Sequence, residues 1–214
     1  MKPPSMFPLT LAIATDTLLK MEFDRVRKTN GTHQIWTENG LELRAFDHPN
    51  IDLWRNNFKG VRYSIPDRDC EVFGAVDDLW ISPKTNEIFC VDYKSTSKKD
   101  DPSIDGGFGD AYKRQMEIYQ WLLRKNGLIV SNTGYFLYVN GDKTTEFYDQ
   151  SLVGNMQFKT SLIEYVGNDD WVEGVIDQAL ICISGERVPD SNLDCDLCRY
   201  FRERGELSFG KRTH

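Results

Sequence analysis

The chain has 214 residues, 40% hydrophobic and 28% charged, with a formal net charge of −7. This composition suits a globular domain with a real core. It excludes a protein that coats nucleic acid through a broadly basic surface, although a local basic groove remains compatible. Five cysteines, an odd number, do not make a secreted disulfide framework and fit a reducing cytoplasm. No apolar run reaches the roughly 18 residues of a membrane span. Residues 1–15 carry a lysine ahead of an apolar run, but proline and threonine break it, so no signal peptide is expected.

Residues 1–8, with three prolines, are expected to be irregular. Over residues 9–27, Leu9, Ala12, Ile13, Asp16, Leu19 and Phe23 follow helical spacing, which puts Asp16 on the apolar face. A carboxylate there is costly unless compensated, so Asp16 reads as a partly exposed residue at the edge of the stripe, as a partner for an arginine, or as a metal ligand. Asn30-Gly31 marks a turn. Residues 32–48 are ambiguous, with a short extended stretch possible, and His33 and His48 read as surface residues. Residues 49–58 suggest a short helix with Pro49 in its first turn and Gly60 ending it.

A strand is expected at 61–64 and a turn at 66–68. Residues 71–82 read as the first strand of a hairpin, 82–86 as its loop and 87–94 as its second strand. Ile88, Phe89, Cys90 and Val91 form a continuous apolar run, as in a strand covered on both faces. Cys90 then packs in the core, and Cys70 has no partner that suggests a site. Residues 95–109 are polar and glycine-rich, a loop of the kind that covers active sites.

Residues 110–126 predict a helix ended by Gly127. Tyr112, Gln115, Met116, Tyr119, Leu122 and Leu123 make one face. Lys113, Glu117, Gln120 and Arg124 make the other. Strands follow at 133–140, 146–148 and 158–165, with a turn at 140–142. Asn168, Asp169 and Asp170 cap a helix running to about residue 184, with Cys182 buried on it. After a turn-rich linker come Cys195-x-x-Cys198, a short helical stretch and a basic tail. The order predicts an α/β or α+β sandwich with a central mixed sheet flanked by helices. The chain reads as one domain over 1–214, with a cysteine-containing appendage at about 185–214.

The hairpin carries the chemistry. Phosphodiester hydrolysis must activate a water and stabilise charge on phosphorus and on the leaving oxygen, and divalent ions do both. Hard ions such as Mg²⁺ take carboxylate and carbonyl oxygens. Asp77 and Asp92 offer two carboxylates, and the Tyr93 carbonyl is a further candidate ligand. Asp92 and Lys94, two apart on a strand, point to one face, so Lys94 can orient water, stabilise developing charge or act as base. Asp78 points the other way and reads as structural.

Gly74-Ala75-Val76-Asp77, Val91-Asp92-Tyr93-Lys94 and the Gln115/Tyr119 pair (Q-x-x-x-Y) on the following helix resemble the PD-(D/E)xK nuclease superfamily. Within it they resemble the RecB-like branch, which includes CRISPR-associated iron–sulfur exonucleases. The resemblance implies a restriction-endonuclease-like core. It implies metal binding by Asp77 and Asp92 with Mg²⁺ or Mn²⁺, a catalytic Lys94, and Gln115 and Tyr119 beside the active site. That branch has a histidine metal ligand in its first helix. Here Asp16 stands in the corresponding place, with Glu22 as runner-up.

The branch's iron–sulfur members use four cysteines. Cys195 and Cys198 are two, and two thiolates cannot close a zinc or iron–sulfur site. The missing partners would precede Met1 in a longer chain, come from another subunit, or have been lost. The implied activity is a DNA nuclease, acting on ends or single strands, with possible protein partners in DNA processing or repair. Lys98, Lys99, Lys113 and Arg114 are candidate DNA contacts. The alternatives are a catalytically inactive nucleic-acid-binding or scaffold module and a carboxylate-metal hydrolase of another kind.

Overall fold

The computed structural model describes residues 9–148 and 152–209. The expected irregular N-terminal segment and the basic tail from residue 210 lie outside them. Residues 10–172 form one compact unit, and the helices that follow belong to a second.

The first unit is built on a five-stranded sheet in the order β1-β4-β5-β6-β7. Its strands are β1 (Arg44–Ala45), β4 (Asp78–Ile81), β5 (Ile88–Thr96), β6 (Thr133–Gly141) and β7 (Phe158–Val166). β5 and β6 run parallel and the other neighbours antiparallel. The sheet is therefore mixed, as the continuous apolar run at 88–91 predicts for a strand covered on both sides. Helix α1 (Thr10–Thr29) packs against β1 and β5, and α4 (Gly109–Lys125) against β5. A second sheet of two strands, β2 (Val61–Ser64) and β3 (Glu71–Gly74), packs on α4, with Tyr63 edge-on to Trp121 at 5.4 Å.

Under α1 lies an aromatic core of Phe23, Trp36, Trp80, Tyr93 and Tyr135. It draws in α2 (Gln34–Glu38), in the stretch left ambiguous by the sequence. His33 caps that helix, its Nδ1 accepting the Ile35 N–H at 3.1 Å, and its ring lies 4.6 Å from Phe23. Burial lowers the His33 pKa from its ordinary 6.5, against the opposing pull of Glu22. The unfolded chain therefore takes up a proton below about pH 6.5 that the folded chain resists, and stability falls as pH drops through that window. His33→Asn keeps a capping acceptor without the titration. Its stability profile between pH 7 and 5 is expected to be flatter than wild type in urea unfolding. His48 stacks on Trp54 at 4.3 Å.

Several expectations change. The run 71–82 is two strands in two sheets, not one. β3 pairs with β2, and the chain then crosses to β4, pinned by Val76 N–H on the Trp54 carbonyl at 3.1 Å. The helix expected at 49–58 is the single turn α3 (Ile51–Trp54). The buried face of α1 is Thr15, Phe23 and Arg27, while Leu9 and Ile13 are exposed. The stripe is rotated because Thr15 is the residue that meets the sheet, its hydroxyl reaching Ser95 on β5.

On α4, Glu117 and Gln120 are buried rather than outward. Glu117 accepts from Tyr165 Oη, Trp171 Nε1 and the Asn168 N–H, and Gln120 donates to the Ser131 and Asn132 carbonyls. These partners lie in later elements that local periodicity does not register. The 146–148 strand reduces to one bridge, Tyr148 with Gly154.

In the second unit, α5 spans Val172–Ser184 and α6 spans Asp196–Phe209. Cys182 is exposed rather than buried, since α5 buries only Val172 at its start.

Candidate active site

Asp77 sits where the chain enters β4, just past the crossover from the small sheet. Its Oδ2 accepts the Tyr93 N–H at 2.8 Å, which ties it to β5. Gly74 explains the glycine three residues earlier. A Cβ there would come within 2.7 Å of Tyr119 Cε1, so the crossover passes directly beneath the Tyr119 ring. The glycine of one sequence motif is thereby fitted against the tyrosine of another.

Asp92 and Lys94 project from one face of β5, with Lys94 Nζ 2.5 Å from Asp92 Oδ2. That oxygen is closed off from solvent, and the Lys94 ammonium is its charge partner. Lys94 Nζ also donates to Gln115 Oε1 at 3.4 Å and lies 4.2 Å over the Tyr112 ring. Gln115 Nε2 in turn donates to Tyr119 Oη at 2.7 Å. Gln115 and Tyr119, four apart on α4, present one continuous chain of contacts to the lysine.

The two carboxylates perturb each other. Burial, and then the nearby Asp92 charge, push Asp77 up to about 7, against the pull of Lys20 and the Tyr93 N–H. Burial also raises Asp92, with Lys94 opposing. Paired, poorly hydrated carboxylates of this kind gather at functional sites.

Behind them Asp78 is fully buried. Its Oδ1 accepts from Arg27 Nη2 at 2.5 Å, Arg55 Nη2 at 2.7 Å and the Leu79 N–H at 2.8 Å, and its Oδ2 accepts from Tyr93 Oη at 2.8 Å. Asp24 bridges the same two arginines.

Asp16 is half-buried at the edge of the α1 stripe and pairs with Lys20 at 2.9 Å. Lys20 Nζ also stands 3.7 Å from Asp77 Oδ1. Lys20 is thus a site residue that sequence reasoning passed over. Its signal was the i, i+4 spacing from Asp16, one of many such pairs on any charged helix. Glu22 pairs instead with Arg25.

Among the described residues, no group of three or more His, Cys, Asp or Glu side chains is gathered to hold a metal. What is gathered is Asp77 and Asp92, two carboxylates, with the buried Asp92 Oδ2 held by the Lys94 ammonium at 2.5 Å. That donor chemistry fits a hard divalent ion.

The cysteine pair does not fit a closed four-ligand site. Cys195 and Cys198 stand together at the start of α6, where the Cys198 N–H donates to Cys195 Sγ at 3.4 Å. All five thiols are free, with Cys90 buried under α4 and Cys70 half-buried.

Of the candidate nucleic-acid contacts, Lys98 lines a cleft of about 390 Å³ beside Lys94. Lys113 is held by Asp105 at 3.2 Å. Lys99 and Arg114 are exposed and outside that lining.

A family model for the PD-(D/E)XK nuclease superfamily matches residues 5–202. The chain belongs to the PD-(D/E)XK nuclease superfamily. Neither the curated proteins nor the solved structures gave a match. Members of this superfamily act on nucleic acid and typically use divalent metal ions. The mixed sheet flanked by helices is the restriction-endonuclease-like fold that the superfamily implies. Among the described residues, no helix of this nuclease is long and apolar enough to cross a membrane.

Proposed function

We propose that this nuclease is a Mg²⁺- or Mn²⁺-dependent deoxyribonuclease of the RecB-like branch, acting as an exonuclease on DNA ends or single strands. The observation that carries the reading is the buried Asp92 Oδ2 beside Lys94, with the Asp77 carboxylate alongside. Asp77 and Asp92 would hold the ion with the Tyr93 carbonyl, and Asp16 would join them once released from Lys20. The ion, when bound, supplies Lewis-acid stabilisation of charge on the phosphate and the leaving oxygen.

Lys94 carries the protein's own share. It donates to the attacking water or to a phosphate oxygen, and Gln115, steadied by Tyr119, keeps its ammonium aimed. Lys98, Lys99, Lys113 and Arg114 are the proposed backbone contacts. The domain reading, a single nuclease domain over 1–214 with a cysteine-bearing appendage from about 185, belongs to the same proposal; the family match runs across 5–202, and the division between compact units falls after Val172. Five free thiols support a cytoplasmic setting, and protein partners in DNA processing or repair follow from the branch.

The test is cleavage of end-labelled single-stranded, duplex and circular DNA with and without added Mg²⁺ or Mn²⁺. Linear single strands are expected to be degraded from an end only when metal is present. Lys94→Ala is expected to lower the rate at least about a hundredfold, with circular dichroism at the assay temperature checking that the variant, which leaves the buried Asp92 without its ion-pair partner, is still folded. Wild-type activity in Lys94→Ala overturns the mechanism. Cleavage of closed circles overturns the exonuclease assignment, and no cleavage by wild type favours an inactive binding module.

A further inference from the structure

The loop between β5 and α4 presents an aromatic ring to solvent in a way its backbone has been built to hold. Phe108, the residue before α4, is 77% exposed. Around it the chain is tightly turned. Gly109 N–H bonds to the Gly106 carbonyl at 2.9 Å, and a Cβ on Gly109 would come within 1.8 Å of the Ile104 carbonyl oxygen. Ile104 itself is buried and anchors the turn. The ring of Phe108 lies 28° from parallel with Tyr112, centroids 6.4 Å apart. Tyr112 is the ring that Lys94 Nζ covers at 4.2 Å. Phe108, Tyr112, Tyr138 and Lys94 all line the cleft of about 390 Å³, which falls within the roughly 300–1,000 Å³ of small-ligand pockets.

We propose that Phe108 and Tyr112 form a stacking platform for one unpaired nucleobase, seated in the cleft so that the strand's phosphate falls beside Lys94. The proposal rests on the nuclease reading above and names what its substrate must present. An exposed aromatic face beside a lysine matches the two halves of a nucleotide, an apolar π-surface and an anion. A base inside a duplex has both faces covered by its neighbours and cannot be laid on such a platform without unstacking. The platform therefore favours frayed ends and single strands, without sequence preference. Of the three acids in the cleft lining, Asp105 pairs with Lys113 at 3.2 Å and Asp101 with Lys159 at 2.8 Å, and the remaining Asp100 is set against Lys94 and Lys98 in the same lining.

The test is equilibrium binding in EDTA of a fluorescein-labelled oligothymidylate and of the same strand made abasic, by wild type, Phe108→Ala and Phe108→Trp. Phe108→Ala is expected to bind oligothymidylate roughly tenfold more weakly, with Phe108→Trp restoring the affinity. The abasic strand is expected to bind all three proteins alike. Equal affinity of wild type and Phe108→Ala for oligothymidylate overturns the platform. So does an equal loss on the abasic strand, which would mean that the variant disturbed the loop and not a base contact. In either case the metal-dependent cleavage assay and its Lys94→Ala control stand separately. Failure of wild type to bind or cleave either strand overturns the nuclease reading together with the platform.

Discussion

Replacing Asp78 by alanine is expected to cost about 3–5 kcal/mol of folding stability, a large part of the roughly 5–15 kcal/mol that holds a domain together. The cost comes from what is left behind. Arg27 and Arg55 are both buried, and both aim a guanidinium nitrogen at Asp78 Oδ1. Without it they share Asp24 alone, and Tyr93 Oη loses its acceptor. Breaking a buried ion pair strands the surviving charge, which is far worse than never having buried it. Asp78→Asn keeps one acceptor and should fall between alanine and wild type. Tyr93→Phe removes only one hydrogen bond and should cost about 1 kcal/mol. It keeps the series readable even if the alanine variant fails to fold. Urea unfolding midpoints give the ranking, and a loss below 1 kcal/mol for Asp78→Ala would show that the network is not needed for the fold.

The network also bears on the site. The same tyrosine that anchors to Asp78 by its hydroxyl holds Asp77 by its N–H. Asp77 and Asp78 are adjacent residues with separate partners, Asp77 with the Tyr93 N–H and Lys20, Asp78 with Arg27, Arg55 and the Tyr93 hydroxyl. Slackening the Asp78 anchor would let the Asp77 carboxylate drift.

The fold was legible in the sequence where local pattern and burial agree. The run at 88–91, which leads into Asp92 and Lys94, lies in the central strand of the sheet, with Ile88, Cys90 and Val91 buried. The α4 periodicity is long enough to stand alone, and the turn at 140–142 does end β6. Legibility failed where partners are distant in sequence. Glu117 and Gln120 look like a solvent face until Ser131 and Asn132 ahead of β6, Tyr165 on β7 and Trp171 after it arrive 11 to 54 positions later. Asp78 could be read as structural from alternation alone, but Arg27 and Arg55 lie 51 and 23 residues away with nothing local to point to them. The break between β3 and β4 was hidden because Gly74-Ala75-Val76 suits a strand, and its crossover depends on Tyr119 and Trp54. Lys20 escaped for a related reason, since its tie to Asp77 spans two elements whose packing the sequence does not display.

The proposed metal site sets stability against activity, and Asp77→Asn should separate them. Asp77 is pushed from an ordinary 3.8 to about 7, by burial first and the Asp92 charge second. Between about pH 4 and 7 the unfolded chain has given up this proton while the folded chain retains it, so the metal-free protein loses stability as pH rises through that window. Asparagine carries no charge, and its carbonyl can still accept the Tyr93 N–H. In EDTA the variant is therefore expected to match wild type near pH 4. By pH 8 it should exceed wild type by on the order of 1 kcal/mol, or roughly 3 °C in melting temperature. The gain is held to that size because a quarter of the side chain reaches solvent (26%) and Lys20 already offsets part of the charge. Added Mg²⁺ should stabilise wild type by mass action and leave the variant unmoved, while DNA cleavage falls at least about a thousandfold. A variant that melts below wild type at pH 8 in EDTA would mean that the Asp77–Asp92 pair is not a destabilising cluster. One that cleaves at the wild-type rate would remove Asp77 from the metal site altogether.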